Sequence, residues 1–90
     1  MVLEMKKFGL ILNSRPAGKE AVLRVKQIVN GTSDNILTLD FEGVDVLTPS
    51  YADELFNGIK NLYPEKKIEM SGYKGNLVVE DVLKKLGIIK

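Results

Sequence analysis

Three apolar segments bounded by turn residues predict strands in this chain. They are Lys6–Leu12, Asn35–Phe41 and Lys67–Met70, and Val2 and Leu3 either extend the first or form a short strand of their own. Alternation is clearest in the middle segment, where Leu37, Leu39 and Phe41 share one face. A short loop at 42–43 separates this strand from a further apolar stretch at 44–47.

Apolar residues spaced three and four positions apart predict a helix after each strand. The apolar stripes predicted to be buried are Ala21, Val22, Val25, Ile28 and Val29 in the first helix, Ala52, Leu55, Phe56, Ile59, Leu62 and Tyr63 in the second, and Val78, Val79, Val82, Leu83 and Leu86 in the third. Ser14 and Asn76 stand where helix caps are expected, and Pro64 and Gly87 where helices end. The order is therefore β-α-β-α-β-α.

Alternating strands and helices are typical of an α/β fold, here a small mixed or parallel sheet packed against helices. Residues 1–90 are too few for two cores and form a single domain. Functional sites in such folds lie beyond the carboxyl ends of parallel strands. The segments predicted there are Asn13–Gly18 and Asp40–Asp53.

Composition excludes several kinds of chemistry. The chain has no cysteine and no histidine, which removes thiolate catalysis and the commonest general base, and no spacing of acidic residues suggests a metal site. A net charge of +1 argues against nucleic-acid binding through bulk charge. No apolar run is long enough to span a membrane, and Met1–Lys7 does not look like a signal peptide. We therefore expect a cytoplasmic protein that needs no cofactor.

The central segment resembles a known family. Asp40–Val44 (DFEGV) and Ser50–Leu55 (SYADEL) are similar to the signature of a bacterial STAS-like domain family of uncharacterised function, which is related to the anti-sigma factor antagonists. Asp40 and Gly43 belong to the structural part of this motif. The match upstream, at Ser14-Arg15 and Gly18, is weaker.

The resemblance implies a non-enzymatic regulatory module that binds a protein partner, such as a histidine-kinase-like ATPase or an anti-sigma-type regulator. Ser50 aligns with the serine that partner kinases phosphorylate in the antagonists, although Thr48, Pro49 and Tyr51 differ from the usual neighbours. The expected partner-binding residues are Leu47, Thr48, Pro49, Ser50, Tyr51, Asp53 and Glu54. Tyr51 either is half-exposed and contacts the partner or packs against the preceding loop.

Each of these residues also has a purely structural interpretation. Ser50 could cap the second helix by accepting the Asp53 N–H, with Thr48 before Pro49 as the rival cap. Asp40 at a strand end could bind loop N–H groups. Asp53 and Glu54 suit the first turn of a helix because of its dipole.

An alternative function is a small-ligand, nucleotide or anion site at the same sheet edge. If the first two strands are parallel, Ser14 and Arg15 lie near Ser50, and Arg15 with two helix N-termini could bind an anion or a phosphoserine. The chain lacks a phosphate-loop signature, which favours the interaction module. Enzymatic activity is the least supported alternative, because no lysine stands where it could activate Ser50.

Overall fold

The chain alternates between strands and helices in the predicted order. The structure is a computed structural model that describes residues 1–90. The strands are β1 (Val2–Glu4), β2 (Ile11–Leu12), β3 (Ile36–Asp40), β4 (Val46–Leu47) and β5 (Lys67–Ser71), and the helices are α1 (Arg15–Val29), α2 (Pro49–Leu62) and α3 (Leu77–Lys85). It is an α/β fold, as expected.

All strand pairs are parallel. One sheet has the order β1-β3-β5, and β2 pairs with β4 as a separate ribbon. In the larger sheet Leu39 lies between Leu3 and Met70, and in the ribbon Leu12 lies beside Leu47. Along the chain β1 is followed by β2, and β3 is followed by β4. The two segments therefore run parallel to each other, first as β1 beside β3 in the sheet and then as β2 beside β4 in the ribbon.

Only Ile11–Leu12, the last two residues of the predicted strand Lys6–Leu12, form a strand. A single 3-10 turn, Met5–Lys7, separates β1 from β2 and buries the Met5 side chain completely. The N–H of Phe8 donates to the Met5 carbonyl at 2.9 Å and closes this turn. The alternative that Val2 and Leu3 form a short strand of their own is confirmed by β1.

Each helix begins at a capping side chain. Ser14 Oγ accepts the N–H of Ala17, Thr48 Oγ1 accepts the N–H of Tyr51, and Asn76 Oδ1 accepts the N–H of Val79. The Asn76 side chain also donates to the Val44 carbonyl at 2.8 Å. Asn76 therefore starts α3 and at the same time fixes it to the loop before β4.

Two glycines allow α1 and α2 to pack closely. A Cβ atom on Gly18 would lie 2.8 Å from Glu54 Cβ and 2.9 Å from the Tyr51 carbonyl oxygen. A Cβ atom on Gly58 would lie 2.6 Å from Val22 Cγ2. A glycine inside a helix costs stability, so these two positions indicate that close helix packing offsets the cost.

The core is apolar and lies between the inner sheet face and the helices. No polar or charged residue is buried. The predicted inner face of β3 is confirmed, since Leu37, Leu39 and Phe41 are buried. The apolar stripes predicted for the helices are wider than the faces that are buried. Four of their residues are exposed, namely Ile28, Leu62, Val78 and Leu86. A sheet of three strands is too narrow to cover the flanks of three helices. No helix combines the length and hydropathy that crossing a membrane requires.

Candidate functional site

The N-termini of α1 and α2 lie side by side at the carboxyl end of the β2–β4 ribbon. Leu12 and Leu47 are register partners, and the Thr48 N–H donates to the Leu12 carbonyl at 3.0 Å. Both helices begin within three residues of this bond. The structure therefore places the two segments predicted at this edge, Asn13–Gly18 and the region around Ser50, next to each other.

Thr48, not Ser50, caps α2. The Thr48 hydroxyl lies 3.4 Å from the Tyr51 nitrogen, Pro49 is the first helical residue and Ser50 is the second. The prediction that Ser50 accepts the Asp53 N–H is wrong, because α2 begins at Pro49, two residues before the start that a Ser50 cap would require. Ser50 is half-exposed. Its hydroxyl is thus not needed to start the helix.

Two residues of the expected partner-binding segment are inside the core. Leu47 is 1% and Tyr51 is 3% exposed. Of the two interpretations of Tyr51, the half-exposed partner contact is wrong: Tyr51 is the third residue of α2, and its buried side chain faces β2 and α1. Burial raises the pKa of the Tyr51 phenol from 10.0 to about 12, and the charge of Arg24 partly opposes this. Thr48, Pro49 and Ser50 are accessible at the surface, whereas Leu47 and Tyr51 are not.

Arg15 connects the two helices electrostatically. Its Nη1 atom lies 3.1 Å from Asp53 Oδ2 and 2.9 Å from Glu54 Oε1. The hydrogen bonds that Arg15 donates to Glu54 and Asp53 raise the pKa of Arg15 above its ordinary range. Asn57, one turn further, donates to Asp53 Oδ1 at 2.8 Å and holds that carboxylate in place.

In the structure, both residues of the predicted anion site, Ser14 and Arg15, already bind other groups of the chain. Ser14 uses its hydroxyl as the cap of α1 and has a φ of 80°, a strained backbone conformation for a residue with a side chain. Arg15 shares its charge between two carboxylates, so the group of three carries a net negative charge. The anion site stays a prediction, and an anion at Arg15 would first have to displace Asp53 and Glu54.

Asp40 has a structural role in a turn. Its Oδ1 atom accepts the N–H of Glu42 at 3.1 Å, which is the loop-binding interpretation of this carboxylate. Gly43 follows with a φ of 86°. Gly72 packs against the same turn, because a Cβ atom there would lie 2.5 Å from the Glu42 nitrogen. The DFEGV segment thus folds as a tight turn against the end of β5.

The sequence reasoning missed Gly18, Gly58 and Gly72 as determinants of the site's geometry. A signal was available for the first two, since a glycine in the middle of a helical pattern indicates a close packing partner. The pairing of Arg15 with Asp53 and Glu54 had no local signal, because it joins residues from different helices. No three His, Cys, Asp or Glu side chains lie together as metal ligands.

Comparison with protein families assigns the chain to a family. A model of the STAS-like domain of unknown function matches residues 20–76, which is more than half of the chain. The protein belongs to this family of STAS-like domains. The match includes the Asp40–Gly43 turn, the start of α2 and Ser50. No curated protein and no solved structure gave a match.

The STAS-like match leaves one part of the site outside it. Ser14 and Arg15 precede residue 20, whereas Asp53 and Glu54 are within the matched segment. The two carboxylates therefore belong to the part of this STAS-like domain that the family describes. Their cationic partner lies in the segment whose resemblance to the family is weaker.

Proposed function

We propose that this STAS-like domain is a non-enzymatic regulatory module of the cytoplasm that binds a protein partner, and that phosphorylation of Ser50 controls the binding. The observation that carries the proposal is the exposure of Ser50 and its position at the start of α2. Its side chain is half-exposed in the first turn of α2, while Thr48 performs the capping. A helix N-terminus stabilises a phosphate, so the modified residue keeps a folded position.

The surroundings of Ser50 give a phosphate a clear electrostatic effect. Residues three and four positions apart share a helix face, so Ser50 lies on the face of Asp53 and Glu54. A phosphate adds a charge of about −1.5 to −2 beside these two carboxylates. The surface then becomes strongly negative, and Arg15 is attracted by three acidic groups instead of two. A partner that fits the unmodified surface is repelled or loses its contacts.

Apolar groups near the start of α2 provide the contact area. Ile11 on the β2–β4 ribbon is 67% exposed, and Pro49 is exposed at the start of α2. Leu47 and Tyr51 lie beneath this surface and hold it rigid. A small exposed apolar surface with a polar rim of Thr48, Asp53 and Glu54 is typical of a protein contact.

The family resemblance suggests the class of partner. A histidine-kinase-like ATPase, or an anti-sigma-type regulator controlled by one, would both bind this surface and phosphorylate the serine. The absence of histidine and cysteine from the sequence supports a module without its own catalysis.

The test is binding of Ser50 variants to the ATPase that co-purifies with the tagged protein from its host. We expect Ser50→Asp to weaken the complex and Ser50→Ala to leave it intact and to remain unphosphorylated in intact-mass analysis. Ser33→Asp is the matched control, because Ser33 is exposed in the loop before β3 and the charge change is the same. Equal affinity of Ser50→Asp and Ser33→Asp would overturn the proposal.

The ligand-binding alternative has weaker support, because Arg15 is engaged by two carboxylates. Thermal unfolding in the presence of phosphate or nucleotides separates the two functions, since a ligand bound to the native state raises the melting temperature. We expect no increase. An increase that Arg15→Ala abolishes would favour the anion site.

A further inference from the structure

The outer edge of β5 is open. β5 is the last strand of the sheet, with β3 on one side and no strand on the other. The Lys67 N–H donates to the Asn35 carbonyl, and the Ser71 carbonyl accepts from Phe41. Because alternate residues of a strand bond to the same neighbour, residues 67, 69 and 71 face β3, whereas the backbone groups of Ile68 and Met70 face outward.

These outward groups have no partner in the chain. The backbone groups of Ile68 and Met70 do not bond to any turn, loop or helix cap of the chain. Their side chains lie on the inner face in register with Leu37 and Leu39, but are half-buried whereas those two leucines are fully buried. The apolar layer beneath the sheet is therefore incomplete along this edge.

Two cavities lie along the edge, one at each of these residues. The first, of about 400 Å³, is lined by Ile68 together with Phe56, Tyr63 and Pro64 from the end of α2 and the residues after it. The second, of about 350 Å³, is lined by Met70 and, beyond β5, by Tyr73. Ile68 and Met70 are two residues apart, which is the spacing of side chains on one face of a strand.

The charges around both cavities are positive. Lys60 and Lys66 line the first cavity, with their ammonium groups 5.5 Å from the Phe56 ring and 5.9 Å from the Tyr63 ring. Lys74 lines the second. The acid of β5 itself, Glu69, lies on the outer face, 3.5 Å from Lys67. Neither cavity is lined by a carboxylate.

We propose that the β5 edge binds an extended acidic segment of a partner protein, which joins the sheet as an added strand. Its backbone pairs with the outward groups of Ile68 and Met70, and two alternate apolar side chains fill the two cavities. Acidic residues at its ends face Lys60 and Lys66 on one side and Lys74 on the other. Backbone pairing supplies affinity in this mode of recognition and the cavities supply selectivity. This surface is separate from Ser50, which lies at the opposite end of α2.

A synthetic probe tests the backbone pairing. The probe is a capped heptapeptide in which two glutamates at each end flank the sequence valine, threonine, valine. We expect it to bind and to slow hydrogen exchange at the Ile68 and Met70 amides. Two N-methylated versions serve as matched controls, one methylated at both valines and the other at the threonine and at the glutamate that follows the second valine.

The two methylated peptides have equal charge and the same number of methyl groups but block opposite strand edges. We expect one of them to lose affinity by about tenfold or more, since each lost backbone hydrogen bond is worth about a factor of five, and the other to bind normally. Equal affinity of the two, or no binding of the unmethylated probe, would overturn the proposal. A dimer that already protects both amides without the probe would identify a second copy as the occupant and would also overturn it.

A pair of double variants tests the charges. Lys60→Gln with Lys74→Gln should weaken probe binding about fivefold at low salt, and less at high salt. Lys19→Gln with Lys26→Gln makes the same charge change on exposed positions of α1 and should leave binding unchanged. Equal effects of both pairs would contradict the charge assignment. Ser50→Asp should bind the probe normally, so this test and that of the proposed function can fail separately.

Discussion

Arg15 at the start of α1 and Glu54 in α2 form an ion pair across the helix interface, with 2.9 Å between Nη1 and Oε1. The pair lies directly over the contact of Gly18 with α2, where a Cβ atom would meet Glu54 Cβ. The close approach of the backbones at Gly18 therefore brings Arg15 within reach of both carboxylates.

Removing this cation should destabilise the protein in a salt-dependent way. We expect Arg15→Met to lower the melting temperature at low salt, because Asp53 and Glu54 lose their partner, and to have a smaller effect in 1 M salt, where the Debye length is about 3 Å. Lys19→Met on the same helix is the control and should change little at either salt concentration. A loss that is independent of salt would show that Arg15 acts through packing instead.

The two hydroxyl groups at the start of α2 should behave differently. Thr48→Ala removes the cap and should cost about 1 kcal/mol of unfolding free energy. Ser50→Ala should change it by less than about 0.5 kcal/mol, as for most partly exposed positions. Chemical denaturation of both variants measures this difference. A larger loss for Ser50→Ala would restore Ser50 as the structural residue and weaken its assignment as a switch.

Gly72 should tolerate no side chain. Its φ is 71°, and a Cβ atom there would run into the Asp40–Glu42 turn. We expect Gly72→Ala to lower the unfolding free energy by about 2–4 kcal/mol, the sum of backbone strain and overpacking.

Gly75→Ala is the control that measures the cost of backbone strain alone, because the φ of Gly75 is 91° and no atom lies within 4 Å of the added Cβ. It should cost about 1 kcal/mol, again measured by denaturation. If the two variants lose the same stability, the contact between Gly72 and the turn has no energetic role.

Tyr51 should make the protein sensitive to alkali. Its pKa is raised to about 12 in the folded state from 10.0, so the stabilisation is complete below pH 10 and is lost as the pH rises from 10 to 12. Two pH units correspond to about 2–3 kcal/mol. Tyr51→Phe should lose less stability than the native protein over this range. Parallel pH profiles of the two proteins would contradict a buried phenol.

The elements of the fold were predictable because each has a local signal. The alternation of Leu37, Leu39 and Phe41 identifies β3 without knowledge of its neighbours, and Asn76 and Gly87 mark the limits of α3. The 3-10 turn at Met5–Lys7 had no such signal, since the gain that drives it is the complete burial of Met5 in a core formed by distant residues. The extent of the helical stripes likewise depends on the width of the sheet.

The candidate site was predictable in position but not in detail. Parallel strands place the starts of α1 and α2 at one edge, and the sequence shows both starts. Thr48 and Ser50 were both plausible caps because each carries a hydroxyl, but only a cap at Thr48 makes Pro49 the first helical residue. The partners of Arg15 and the burial of Tyr51 depend on how the two helices pack, which Gly18 and Gly58 determine through space.

The parallel pairing of all five strands also has a consequence for how the chain folds. Each strand pair joins segments roughly 30 or more residues apart, with a whole crossover between them, and no hairpin is available as a local nucleus. The first native contacts are therefore those within single helices, because both the sheet and the α1–α2 contact require distant parts of the chain to come together. During synthesis β3 lacks its partner β5 until residue 71 has emerged. This interval, rather than the finished structure, is when the chain is most exposed to misassembly.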